Sequence, residues 1–179
     1  MKKILIIGAG AMGAAFSIPL IENGHHVTLS EPHNIKLISK LNLKKKFHPS
    51  LKINLPKKIK TKKFVPKMLN LQWNLIVVAV SSVGIEIISK YLAHLKSKTP
   101  ILVLTKGLKL DKTKRIITMS EQLNKNNNKL NISVLKGPCL AKELARKIKS
   151  YTVIGNKNIK VAKDIGKMIS TSYYKTEHT

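Results

Sequence analysis

Short aliphatic runs recur along the chain at residues 3–8, 26–30, 74–80, 100–105, 132–135 and 151–155. Most of them are almost continuously apolar instead of alternating with polar residues, the pattern of strands buried on both faces of a sheet. Helix-length stretches lie between most of them, at 11–23, 32–41, 82–96, 112–124, 138–147 and 158–169. The first closes on Asn23-Gly24, a helix C-terminal signal. This alternation predicts an α/β fold, doubly wound, with a mainly parallel sheet and helices on both faces. One domain covering residues 1–179 is expected. Two segments break the pattern. Residues 43–63 carry Pro49, Pro56 and scattered lysines and read as a surface excursion with two short strands, while NKNNNK at 124–129 reads as a polar loop. A last strand is expected at 171–176.

The first run leads directly into GAGAMG, Gly8 to Gly13, which opens the first helix. At this spacing Gly8 permits a tight turn, Gly10 lets the backbone approach a diphosphate, and Gly13 lets helix and strand pack closely. The helix N-terminus adds N–H donors and partial positive charge. A Rossmann-type dinucleotide-binding domain is therefore expected. Glu31 ends the second strand, where a carboxylate accepts hydrogen bonds from ribose hydroxyls and repels a 2′-phosphate. The cofactor is thus NAD or NADP, with NAD favoured by Glu31. Alternatively Glu31 only complements the N-terminus of the helix that follows.

Two further strand ends present polar groups where open α/β sheets bind ligands. Ser81, in VSSVG, either lines the cofactor crevice or caps the next helix. Lys106, in LTKGLKL, is placed to bring positive charge to a phosphate or a reacting carbonyl. The stretch KGPCLAKELA, Lys136 to Ala145, puts a glycine and a proline between a strand and a helix. A helix start near Pro138 would be a second anion site, with Pro138 in the first turn and Glu143–Lys147 as an i,i+4 pair. Cys139 has no histidine or acidic partner near it in sequence, which argues against a nucleophile. No metal-ligand spacing is present.

Composition changes this picture little. The net charge of +26 invites a nucleic-acid reading, but 32 of the 34 basic residues are Lys, and only Arg115 and Arg146 carry the guanidinium fork that base and phosphate recognition favours. A compositional bias toward Lys, Ile and Asn accounts for the charge, and no specific nucleic-acid partner is expected. The densest basic segment, Lys44 to Phe64, lies in an acid-free window from Pro32 to Ile85 and has too few aromatics for single-strand stacking. Its field can still steer a small polyanion, an effect salt weakens. One cysteine excludes an internal disulfide. The apolar N-terminus superficially resembles a signal peptide or membrane span, but its three glycines mark a strand–turn–helix, so a soluble, cytoplasmic protein is expected.

Taken together, GAGAMG, VAVSSVG followed by LTKGL, and GPCLAKELA resemble the NAD(P)-dependent glycerol-3-phosphate dehydrogenases, in order and spacing, over essentially the whole chain. The resemblance implies reversible hydride transfer between a nicotinamide cofactor and dihydroxyacetone phosphate or sn-glycerol 3-phosphate, a precursor for phospholipid biosynthesis. It implies cofactor contacts from Ala11, Met12 and Ala141. It also implies that Lys106 contacts both cofactor and substrate, and that Gly137 and Cys139 bind the substrate phosphate. The family commonly has an aromatic where Met12 stands and Ser or Thr where Cys139 stands. Its helical C-terminal domain, with the lysine acting as general acid and base, would lie beyond Thr179. The chain therefore reads as an N-terminal cofactor domain, a fragment or one half of a split enzyme, inactive alone. A homodimer through the absent domain is one assembly the resemblance allows. Ketopantoate-reductase-like oxidoreductases, and a dinucleotide-binding fragment without catalysis, are the competing readings.

Overall fold

The computed structural model describes residues 1–43, 46–95 and 98–179. Strand β1 (Lys3–Ile7) leads into helix α1 (Ala11–Glu22), followed by β2 (His26–Glu31) and α2 (Ile35–Leu43). Three short strands follow, β3 (Phe47–His48), β4 (Ile53–Asn54) and β5 (Lys60–Lys63), then β6 (Leu75–Val78), a 3-10 turn at Ser82–Gly84 and α3 (Ile85–Leu92). Next come β7 (Ile101–Val103), β8 (Leu108–Leu110), β9 (Ile116–Thr118), α4 (Met119–Asn124) and β10 (Ile132–Lys136). The chain ends with α5 (Ala141–Ala145), β11 (Ser150–Gly155), α6 (Ile159–Ile169) and β12 (Tyr174–His178).

Eight strands form one sheet in the order β12-β11-β10-β7-β6-β1-β2-β5. Every neighbouring pair is parallel except β10–β11. The expected Rossmann-type, mainly parallel sheet is thus present. Its two faces follow from the alternation of side chains along each strand. In β1, Ile4 and Ile6 join a core with α1 and α6, whereas Leu5 and Ile7 join one with α3. All four are fully buried, which is why the run looks continuous in sequence. Phe16 of α1 meets Tyr174 of β12 edge-on, with ring centroids 6.2 Å apart, tying the first helix to the last strand.

Several expectations are corrected. Residues 112–124 do not form one helix. The Asp111 carboxylate accepts hydrogen bonds from the Thr113 and Arg115 amides and folds a tight turn, so β8 and β9 pair as a hairpin. A helix starts only after Thr118, which forms a capping box with Glu121. The excursion at 43–63 holds a third strand, β5, which adds parallel to β2 as the edge of the main sheet. Exposed Lys60, Lys62 and Lys63 discourage further pairing along that edge. Lys44 and Lys45, in the basic segment, and Lys96, at the end of the expected 82–96 helix, lie outside the described residues.

Lys147 pairs not with Glu143 but with Glu22 at the end of α1, 2.5 Å away, and Tyr173 donates to the same carboxylate. Burial would raise the Glu22 pKa, but the Lys147 and Tyr173 hydrogen bonds together hold it below its ordinary value. Near this end of the molecule His25 has both ring nitrogens buried. Burial lowers its pKa, as do the N-terminal ammonium and Lys2, and the Met168 carbonyl offsets this only in part. The unfolded chain therefore takes up a proton at His25 more readily than the folded one. That contribution to stability is complete above the ordinary histidine pKa of about 6.5 and fades as pH falls through the depressed folded value. The thermal midpoint is expected to drop between pH 7 and 5, and less so in His25→Met. An equal drop in both proteins would remove His25 as the cause.

Candidate functional site

Strands β1, β6, β7 and β10 run parallel, so their carboxyl ends open on the same side of the sheet. The turn after β1 is shaped by its glycines. Gly8 has φ +111°, and a Cβ there would lie 2.6 Å from the carbonyl group of Ala79. A Cβ on Gly13 would lie 1.9 Å from the Gly8 oxygen, so α1 sits directly against the turn. A Cβ on Gly10 would meet nothing within 4 Å. Here the backbone borders open space.

Glu31 braces that turn. Its buried carboxylate accepts hydrogen bonds from Ala9 N–H through Oε2 (2.7 Å) and from His33 and Asn34 N–H through Oε1 (3.0 and 3.2 Å). The Glu31 side chain thus meets the amides that precede α2 and also reaches the glycine turn. A carboxylate has about four acceptor positions, so one remains for a ligand hydroxyl.

The other strand ends meet α1 across a cleft of about 390 Å³, which brings together Met12, Ser81, Lys106, Cys139 and Ala141. Ala11 is the first residue of α1, beside Met12. Neither Ser81 nor Gly84 caps α3 with a side-chain hydrogen bond, and Ser81 is exposed at the cleft. Thr105 fixes the two strand ends to each other, its hydroxyl donating to the Val80 carbonyl (2.7 Å). Lys106 then crosses to the turn after β10, where Nζ donates to the Gly137 carbonyl at 3.0 Å. Gly137 has φ +108°, and a Cβ there would press on the backbone of Tyr151 and Thr152 at 3.3–3.4 Å. That turn requires glycine.

The second helix start differs from expectation. Helix α5 begins at Ala141 after an extended Leu140, not near Pro138, and spans five residues. The Cys139 amide is engaged by the Gly137 carbonyl at 3.0 Å, which closes the turn that holds Lys106. Cys139 is 3% exposed, and burial pushes its thiol pKa up although a hydrogen bond with Tyr174 and the charge of Lys106 oppose this. A protonated, buried thiol is a poor nucleophile. Tyr174 and His48 carry no sequence motif that marks them, and Thr105 lies within LTKGL without having been singled out there. Among the described residues no group of three or more His, Cys, Asp or Glu could hold a metal ion, and no helix is long and apolar enough to cross a membrane.

A Rossmann-type dinucleotide-binding domain, with the glycine turn on one side of a cleft and a lysine-bearing strand end on the other, is the class this architecture defines. The profile of the family described as NAD-dependent glycerol-3-phosphate dehydrogenase N-terminus matches residues 3–162, and the chain belongs to that family. A glycerol-3-phosphate dehydrogenase [NAD(P)+] of Photorhabdus laumondii is 30% identical over 80% of this chain and 42% of its own length. One from Bacillus pumilus is 30% identical over 90% of this chain and 47% of its own. The glycerol-3-phosphate dehydrogenase structure from Coxiella burnetii superposes with a TM-score of 0.84 at 21% identity, covering 99% of this chain and 54% of that one. The Plasmodium falciparum enzyme gives 0.86 at 19% identity, covering 99% and 52%. The chain spans about half the length of the curated relatives it matches.

Proposed function

We propose that this chain is the cofactor-binding part of a glycerol-3-phosphate dehydrogenase, a single domain over residues 1–179 that works with a helical C-terminal domain. The observation that carries the proposal is Lys106, held at 3.0 Å from Gly137 in the same cleft that Met12 and Ala141 line. In this reading Gly10, Ala11 and Met12 face the dinucleotide and Gly8 and Gly13 shape the turn that binds it, with Ser81 and Ala141 along the nicotinamide side. Lys106 and the Gly137–Cys139 turn receive the phosphate of a three-carbon substrate. Gly137 and Cys139 contribute shape, since their mutual hydrogen bond and the buried thiol leave Lys106 as the charged donor.

A reduced nicotinamide cofactor held at this turn would supply the hydride for the C2 carbonyl of dihydroxyacetone phosphate and be left oxidised, with one proton taken up to complete the alcohol. The protein aligns donor and acceptor and stabilises charge developing on the carbonyl oxygen. Proton delivery falls to the lysine of the C-terminal domain, so this chain alone binds without turning over. The negative charge of Glu31 beside the glycine turn favours NAD over NADP, and tighter binding of NADPH than NADH would contradict that preference. Phospholipid biosynthesis in the cytoplasm is the outlet this activity would serve.

The reading is tested by titrating the chain with NADH by fluorescence, then assaying dihydroxyacetone phosphate reduction with and without a C-terminal partner. Turnover of ketopantoate, and not of dihydroxyacetone phosphate, would reassign the substrate. Lys106→Met removes the charge while keeping the stem, and is expected to weaken binding of glycerol 3-phosphate to the NADH-loaded protein by roughly 10–100-fold, since charged hydrogen bonds contribute about 1.5–3 kcal/mol. Unchanged binding would exclude Lys106 from the phosphate site.

A further inference from the structure

We propose that His48, in the lysine-rich excursion far from the glycine motif in sequence, is a positioning residue for the dinucleotide turn, an inference that rests on the dinucleotide reading above. His48 is 1% exposed. Its Nε2 lies 3.0 Å from the Ala9 carbonyl oxygen, and its Nδ1 accepts the Leu51 N–H at 3.3 Å. A nitrogen that accepts an N–H carries no proton of its own, so the neutral ring has its hydrogen on Nε2 and donates it to Ala9.

This contact completes a clamp on two successive peptide planes. In a trans peptide the C=O and the following N–H point in opposite directions. Glu31 holds the Ala9 N–H, so the Gly8 carbonyl of the same plane faces the other way, where it lies against Gly13. His48 holds the Ala9 carbonyl, so the Gly10 N–H of that plane is turned away from the imidazole. Of the three motif glycines Gly10 is the one whose surroundings are open, and its amide is the donor a diphosphate would meet. His48 therefore sets the direction of a ligand-facing amide without touching the ligand. The turn Lys46–Leu55 that carries it is itself closed by Lys52 N–H to His48 O and Leu55 N–H to Lys46 O, at 2.9 and 3.0 Å.

The test compares wild-type chain, His48→Gln and His48→Leu. Glutamine can place an amide donor where Nε2 stands, whereas leucine fills the space and leaves the buried Ala9 carbonyl without a donor. His48→Leu is expected to bind NADH about tenfold more weakly, a loss equivalent to about 1.4 kcal/mol, and His48→Gln to recover most of the affinity. A general packing role would not discriminate between the two in this direction. Long-range ¹H–¹⁵N correlation of the wild-type imidazole is expected to show the Nε2–H tautomer, which also serves if His48→Leu fails to fold. Wild-type affinity in folded His48→Leu, equal losses in both variants, or an Nδ1–H or doubly protonated ring would each overturn the inference while leaving the dinucleotide reading intact. Failure of the wild-type chain to bind any nicotinamide dinucleotide would overturn both.

Discussion

Gly13→Ala is expected to destabilise the chain by on the order of 3 kcal/mol or more, because the new methyl group would sit 1.9 Å from the Gly8 oxygen and neither partner is a flexible side chain. Relief requires α1 to move off β1, disturbing a helix whose residues 13–20 are all buried. The thermal midpoint should fall by roughly 6–12 °C for a chain of this size. Gly10→Ala provides the contrast. Its φ of −62° suits any residue and its Cβ would meet nothing within 4 Å, so stability should change by less than about 0.5 kcal/mol. Its methyl group would nonetheless enter the space opposite the turn, and NADH affinity should fall at least about tenfold. Melting curves and NADH titrations on the two variants check both halves of the expectation. A Gly13→Ala protein as stable as wild type would mean that α1 is not packed on the turn as described.

The second large effect is expected at Glu31. Three backbone amides converge on its two oxygens, from Ala9, His33 and Asn34. Glu31→Gln keeps the size but replaces one acceptor oxygen with a donor, so whichever way the amide turns an NH₂ faces either the buried Ala9 N–H or the part-buried His33 and Asn34 N–H groups. Hydrogen bonds to charged groups contribute about 1.5–3 kcal/mol each, and a donor left facing a donor adds desolvation, so a loss of about 2–4 kcal/mol is expected. Chemical denaturation measures it. Since the Ala9 amide belongs to the glycine turn, NADH affinity should weaken in the same variant. Loss of NAD preference without loss of stability would instead assign Glu31 to the ribose alone.

The central sheet was readable from sequence because β1, β6 and β7 are buried on both faces and leave near-continuous aliphatic runs, with β2 and β10 alternating but still rich in aliphatic residues. The glycine turn was readable because Gly8 and Gly13 each satisfy a separate steric demand at fixed spacing. Less was legible where a single side chain overrides the local pattern. Asp111 converts an expected helix into a hairpin through two amide contacts, a local competition that hydrophobic periodicity does not register. Strand β5, written Lys-Thr-Lys-Lys, has almost no apolar content; it is a strand because β2 offers it an edge. Lys147 lies close to Glu143 in sequence but turns at φ +60° after α5 and meets Glu22 instead. His48 was invisible for a related reason: its partner Ala9 is 39 positions away, and nothing in a lysine-rich stretch marks one histidine as buried.

The bond between Lys106 and the Gly137 carbonyl sets an entry condition for the cleft. A molecule that takes over this N–H displaces a neutral acceptor already in place, so another neutral carbonyl or hydroxyl gains almost nothing by the exchange. A phosphate dianion would instead gain an attraction between full opposite charges, stronger than the contact with a neutral carbonyl that it breaks. On the function proposed above, the resting contact would act as a filter on ionisation state, favouring a phosphorylated ligand over its neutral counterpart.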